Sequence, residues 1–207
     1  DFSKEYIDDV PSTPVWRGSD YLLFYGKGPV KWEYDSSSQT FVHTNNPYSL
    51  YGYYFVTDAT PTNDMTSVAQ ASGASTRITT YDDYLLHEQE LVSVNQSGRE
   101  FFGEDFSGAR PRTISTFSSI PGITDADGKV TMRFISRINS GSGTASLSIN
   151  DSELLDITIP SIQTVSSNVR SYTKAIPGTT TALWKGSKSE KNNVVVSYSS
   201  SGHTNVR

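Results

Sequence analysis

The residues best suited to moving a proton near neutral pH are three histidines, His43, His87 and His203. Their spacing is too wide for a short metal or general-base motif of the H-E-x-x-H kind, and each lies in a polar stretch that reads as strand or turn. They are expected to be solvated or hydrogen-bonded rather than catalytic. Serine is abundant, but no G-x-S-x-G segment occurs to hold one as a nucleophile. Cysteine is absent, which removes thiolate nucleophiles, thiolate zinc sites and disulfides together. "YGKGP" (25–29) contains G-x-G, yet Pro29 stands where a phosphate loop would open into a helix, so a turn is expected there. "DADG" (125–128) begins like a calcium loop but lacks the third oxygen ligand and the glutamate at the twelfth loop position; it reads as a hairpin turn. These residues predict no enzyme site, no metal and no cofactor.

Two groups could instead recognise something. Trp32, Tyr34, Tyr51, Tyr53, Tyr54 and Trp184 could form a stacking platform, since flat rings cover the C–H faces of sugars while polar neighbours bind the hydroxyls. The same residues serve equally as core and as cross-strand pairs, and most are expected there. The second group is "SGREFFGEDF" (97–106), where Gly98 and Gly103 bracket Arg99, Glu100, Phe101 and Phe102, with Glu104 following. In a strand, Arg99 and Phe101 share one face and Glu100 and Phe102 the other, so each face carries one ring and one charge. An edge strand, or the seam between two sheets, tolerates that mixture. The favoured reading is a fold-organising ion pair, with arginine held by a carboxylate through two hydrogen bonds; a docking surface is the alternative.

The elements that must carry these groups are strands. In "VTMRFISRI" Val130, Met132, Phe134 and Ile138 share one parity, and Thr131, Arg133 and Arg137 the other. "TASLSIN" and "LLDITIP" repeat the pattern with Ala145, Leu147 and Ile149, and with Leu155, Ile157 and Ile159. A period of two marks half-buried strands. "DADGK", "NSGSG" and "NDSE" separate them with residues that tolerate positive φ or close Asx turns. "TALWKG" and "NNVVVSYSS" read as two more strands around "SKSEKNN", and "SGHTNVR" as a turn and the start of a return beside the last of them. Earlier, "DYLLFYG", "KWEYD", "TFVHT" and "YGYYFVTD" read as aromatic strands, 60–75 as a surface loop, and "YDDYLLHEQELVSV" as a strand. Short strands with frequent turn signals point to an antiparallel sandwich.

Composition agrees. Of 207 residues 12% are aromatic and 19% charged, a balance typical of β-rich extracellular domains. The net charge of -5 weighs against nucleic acid or an anionic membrane surface as partner. No apolar run approaches the roughly 18 residues of a membrane helix. The opening "DFSKEYIDDV" has neither the basic nor the apolar region of a signal peptide; in an exported protein that signal is expected upstream or removed.

The order of segments carries a resemblance. "GSDYLLFYGKGPVKWEYD", "FVHTNNPYSLYGYYFVTD", "TTYDDYLLHEQELVSVNQSGREFFGEDF", "TFSSIPG" and "VTMRFISR" follow one another as in the region preceding the peptidase domain of PorU-type proteins. These are gingipain-related cysteine peptidases that act as sortases of the type IX secretion system in Bacteroidota. The matching residues are Asp20, Tyr21, Phe24, Tyr25, Gly28, Pro29 and Trp32, then His43, Asn46, Tyr48 and Ser49, then Ser97 to Glu104 and Phe106. The resemblance spans about 18–160, and its most specific part is the Gly-Arg-Glu segment. It implies a cell-surface location at the outer membrane, and it transfers no active-site residue, because the family's catalytic Cys and His belong to a downstream domain. It also implies that the return at the C-terminus continues into a further strand before a peptidase begins.

The sequence thus predicts an all-β, jelly-roll-like antiparallel sandwich over 1–207, with a subsidiary aromatic-rich sheet in the first half and a subdivision near 105. The expected role is a non-catalytic accessory domain. Its expected partners are an adjacent peptidase domain or other secretion-system proteins. The alternative is a carbohydrate-binding module, with Trp32, Tyr34 and Tyr53 as the glycan platform.

Overall fold

The computed structural model describes residues 12–46, 49–56, 64–69, 72–73, 75–96, 98, 100–108, 110–138, 140–162, 175–201 and 204–206, the last three by backbone alone. The chain divides into two compact units, Asp1–Asp83 and Tyr84–Arg207. No helix among the described residues is long and apolar enough to cross a membrane.

The first unit holds two small antiparallel ladders. Strand β1 (Val15–Arg17) pairs β2 (Leu22–Phe24), and β3 (Val30–Asp35) pairs β4 (Thr40–Asn45). The second is the aromatic-rich subsidiary sheet, with Tyr34 opposite Phe41 and Trp32 opposite His43. Its reversal is chemically explicit: the Asp35 carboxylate accepts from the Ser37 amide and from the hydroxyls of Ser37 and Ser38, and Gln39 takes φ 49°. None of the described residues of this unit is buried. "YGYYFV", expected as a strand, joins no ladder over 51–56.

The second unit is the predicted antiparallel sandwich. Its strands are β5 (Arg112–Thr113), β6 (Gly128–Ile138), β7 (Ser142–Ile149), β8 (Ser152–Pro160), β9 (Ile176–Trp184), β10 (Val194–Ser200) and β11 (Thr204–Val206). One sheet runs β5-β10-β7-β8 and the other β11-β6-β9. The alternation read from sequence sets their inner faces: Ala145, Leu147 and Ile149 meet Leu155, Ile157 and Ile159 on one side of β7 and Val194, Val196 and Tyr198 on the other. Met132 and Phe134 close the core from the second sheet, with Phe106 and Ile114 from the preceding loops. Phe134 stacks on Tyr198 with centroids 5.5 Å apart, and Phe106 tilts against it at 5.2 Å. Inside this apolar layer the fully buried Ser136 hydroxyl meets the Tyr198 hydroxyl at 2.8 Å, tying one sheet to the other.

Three expectations change here. "YDDYLLHEQELVSV" forms no strand, only an isolated bridge between Val92 and Phe102. The return after β10 does not lie beside it: β10 already sits between β5 and β7, and β11 crosses to pair with β6. "DADGK" joins no hairpin. The Lys188 ammonium, which lies over the Trp184 ring, donates to the carbonyls of Ala126 (2.8 Å) and Gly186 (3.1 Å), while the Asp125 carboxylate accepts the Lys188 amide.

Candidate functional site

In the segment from Leu91 to Phe106, Glu100 and Phe102 lie against the outward face of the three-stranded sheet, on the parity of Arg133 and Ile135, before the chain enters the inner core at Phe106. Val92 and Phe102 exchange backbone hydrogen bonds (2.9 and 3.0 Å), which folds the segment back on itself. The reversal needs left-handed backbone, supplied by Gln96 at φ 54° and Gly98 at φ 69°. At Gly103 a Cβ would come within 3.2 Å of Gln89, so a side chain there would need Gln89 to give by a few tenths of an ångström.

Phe102 is thereby buried in a second small core with Ile135 and Ala175, flanked by Val94. Ile135 is fully buried although it shares parity with the polar residues of β6. Beside it, Glu100 accepts from the Arg133 guanidinium through both Nε (2.7 Å) and Nη2, while Nη1 donates to the Thr179 hydroxyl at 2.8 Å. The guanidinium also stands over the Phe102 ring. Phe101 is half-buried. The Asn95 side-chain oxygen accepts the Ala175 amide at 2.8 Å, fastening the same segment to the approach to β9. Arg99 lies outside the described residues. The acidic partner in this segment is therefore Glu100, and its arginine comes from β6, distant in sequence.

Glu104 is engaged separately. Its carboxylate meets Nε2 of His87 at 2.6 Å, and Nδ1 of the same ring meets the Thr116 hydroxyl at 2.7 Å. Thr116 sits in a 3-10 turn, Ser115–Phe117, entered just after β5. This trio is invisible to motif reading because its members stand 17 and 29 residues apart in sequence. His203 lies outside the described residues.

The glycan platform residues are in the first unit. Tyr34 and Tyr53 are 51% and 76% exposed, whereas Trp32 is half-buried beside His43. The ring pairs here are inclined rather than coplanar: Trp32–His43 by 36°, Tyr34–Phe41 by 68°, Tyr51–Tyr53 by 62°. Among the described residues no group of three or more His, Asp or Glu side chains could hold a metal ion.

No family model matches the chain, and no curated protein matches it. Among solved structures it is similar to the crystal structure of dimeric latent PorU from Porphyromonas gingivalis, with a TM-score of 0.69 and 31% sequence identity. The match covers 100% of this chain and 19% of that protein, so the chain spans about a fifth of its relative.

Proposed function

From this likeness to a part of PorU, we propose that the chain is a non-catalytic β-region of a secretion-linked, gingipain-like cysteine peptidase, working at the outer surface of the cell. The observation that carries the reading is the full-length match at 31% identity to only 19% of PorU, in a chain with no cysteine of its own. Its role is to support the peptidase domain or to contact cargo. The first unit supports a docking role, since Leu22, Leu23, Phe24 and Tyr25 are each at least 45% exposed. In the second unit Glu100 and Phe102 act as fold-organising residues, because both are engaged in contacts within the sandwich. A glycan-binding role draws less support, since Trp32 is half-buried beside His43 and the full-length likeness is to a part of PorU.

The gene sequence around this region, followed by domain deletion, tests the proposal. A peptidase domain is expected in the same polypeptide, and removing the 207-residue region is expected to abolish its surface processing activity while leaving expression intact. A gene without a peptidase domain, or processing that survives the deletion, would overturn it.

A further inference from the structure

His87, Glu104 and Thr116 form a hydrogen-bonded chain that the accessory role does not require. A carboxylate only accepts, so the proton of the neutral imidazole lies on Nε2, toward Glu104 at 2.6 Å. Nδ1 then offers its lone pair, and the Thr116 hydroxyl, 2.7 Å away, donates to it. The His87 and Glu104 side chains are 18% and 26% exposed, and the Phe117 ring packs edge-on against the imidazole at 6.2 Å. Thr116 itself is exposed. The order hydroxyl, imidazole, carboxylate, all at hydrogen-bond distance, is the arrangement by which a weak hydroxyl becomes a nucleophile.

We propose that Thr116 is a reactive acyl-acceptor hydroxyl, with His87 as its general base and Glu104 as the residue that positions the ring. The substrate class is a small activated carboxylic ester, which can reach an exposed turn without a cleft. In the step, Thr116 Oγ1 bonds to the acyl carbon and the bond from that carbon to the aryl oxygen breaks. The proton passes from Oγ1 to His87 Nδ1 and on to the departing aryl oxygen; no oxidant or metal takes part. Turnover is not expected. The Phe117 and Ser118 amides already donate to Ile114 and Ser115 carbonyls, so this turn does not direct them at a developing oxyanion, and the threonine ester accumulates.

The experiment incubates the 207-residue chain with p-nitrophenyl acetate and locates the acetyl group by peptide mass mapping. One acetyl on Thr116 is expected, forming roughly 100-fold faster than in His87→Gln, the usual scale of general-base assistance. Thr116→Ser should keep the reaction and Thr116→Val, of nearly the same shape, should lose it; this pair decides even where a His87 variant fails to fold. Glu104→Gln should slow acylation with the melting temperature held, and imidazole nitrogen chemical shifts should show its proton no longer confined to Nε2. Acetylation that spreads over lysines without preference for Thr116, or that is the same in Thr116→Val, would overturn the assignment. So would a Glu104→Gln variant with unchanged rate and unchanged imidazole shifts.

Discussion

Replacing Tyr198 by Phe removes a single oxygen from the middle of the sandwich, and its cost follows from what that oxygen touches. The Tyr198 hydroxyl lies 2.8 Å from that of Ser136, which is fully buried, and the two belong to different sheets. The ring stays stacked on Phe134, so the loss is confined to the hydrogen bond and to the Ser136 hydroxyl left without it. An unsatisfied buried hydroxyl costs about 1–3 kcal/mol, and Tyr198→Phe and Ser136→Ala should each fall in that range. The double variant removes both polar atoms, so its cost should be less than the sum of the singles by about 1–2 kcal/mol. Urea unfolding followed by circular dichroism reads this directly, as a lower midpoint at unchanged slope. Additive single costs, or a Tyr198→Phe midpoint equal to that of the parent, would show that the two hydroxyls do not meet in solution.

Phe102→Ala should destabilise the sandwich unit by about 3 kcal/mol, because it empties the small core over Ile135; Glu100→Gln should cost less than about 1 kcal/mol, because that ion pair is largely exposed. Denaturation midpoints of the two variants check the ranking. The Asp35 carboxyl, held first by the Ser37 hydroxyl and then by Ser38 and the Ser37 amide, titrates at about 2 rather than 3.8. Its contribution to stability is therefore full above pH 3.8 and is lost as the pH falls toward 2; carbon NMR titration should give that midpoint, and Ser37→Ala should raise it. Millimolar calcium or a chelator should leave the melting temperature unchanged, since the Lys188 ammonium holds the Ala126 and Gly186 carbonyls. Lys188→Met should lower stability by about 1 kcal/mol, one hydrogen-bonding centre's worth.

Strand parity was readable wherever one face met the core, which is why β6, β7 and β8 follow their sequence pattern. Ile135 marks the limit of that reading. It sits on the polar parity of β6 and is buried because Phe102 and Ala175 cover it, a contact that periodicity within one strand does not encode. The ion pair expected in the Gly-Arg-Glu segment centres on its own arginine, Arg99, which lies outside the described residues; Arg133 as the mate of Glu100 was not legible, since the pairing spans 33 residues. "YDDYLLHEQELVSV" has strand-like composition but no neighbouring ladder beyond the Val92–Phe102 bridge; β propensity expresses packing context more than backbone preference. The His87 trio depends wholly on tertiary approach, so its sequence signal is nil.

Among the described strands of the sandwich, every chain connection except the β7–β8 turn passes from one sheet to the other. This bears on when the unit can fold. The β7–β8 hairpin can close early, because Asn150 and Asp151 already hold the positive φ values of a tight turn. Everything else waits for distant chain: β9 pairs β6 in one sheet, which β11 completes, and β10 is the bridge between β5 and β7 in the other. A growing or threading polypeptide that emerges N-terminus first therefore cannot complete either layer until residues near 200 are available. Pairing across such separations is slow, and until then the apolar faces of β6, β7 and β8 stand exposed together, the condition in which a nascent chain depends most on being kept from its neighbours.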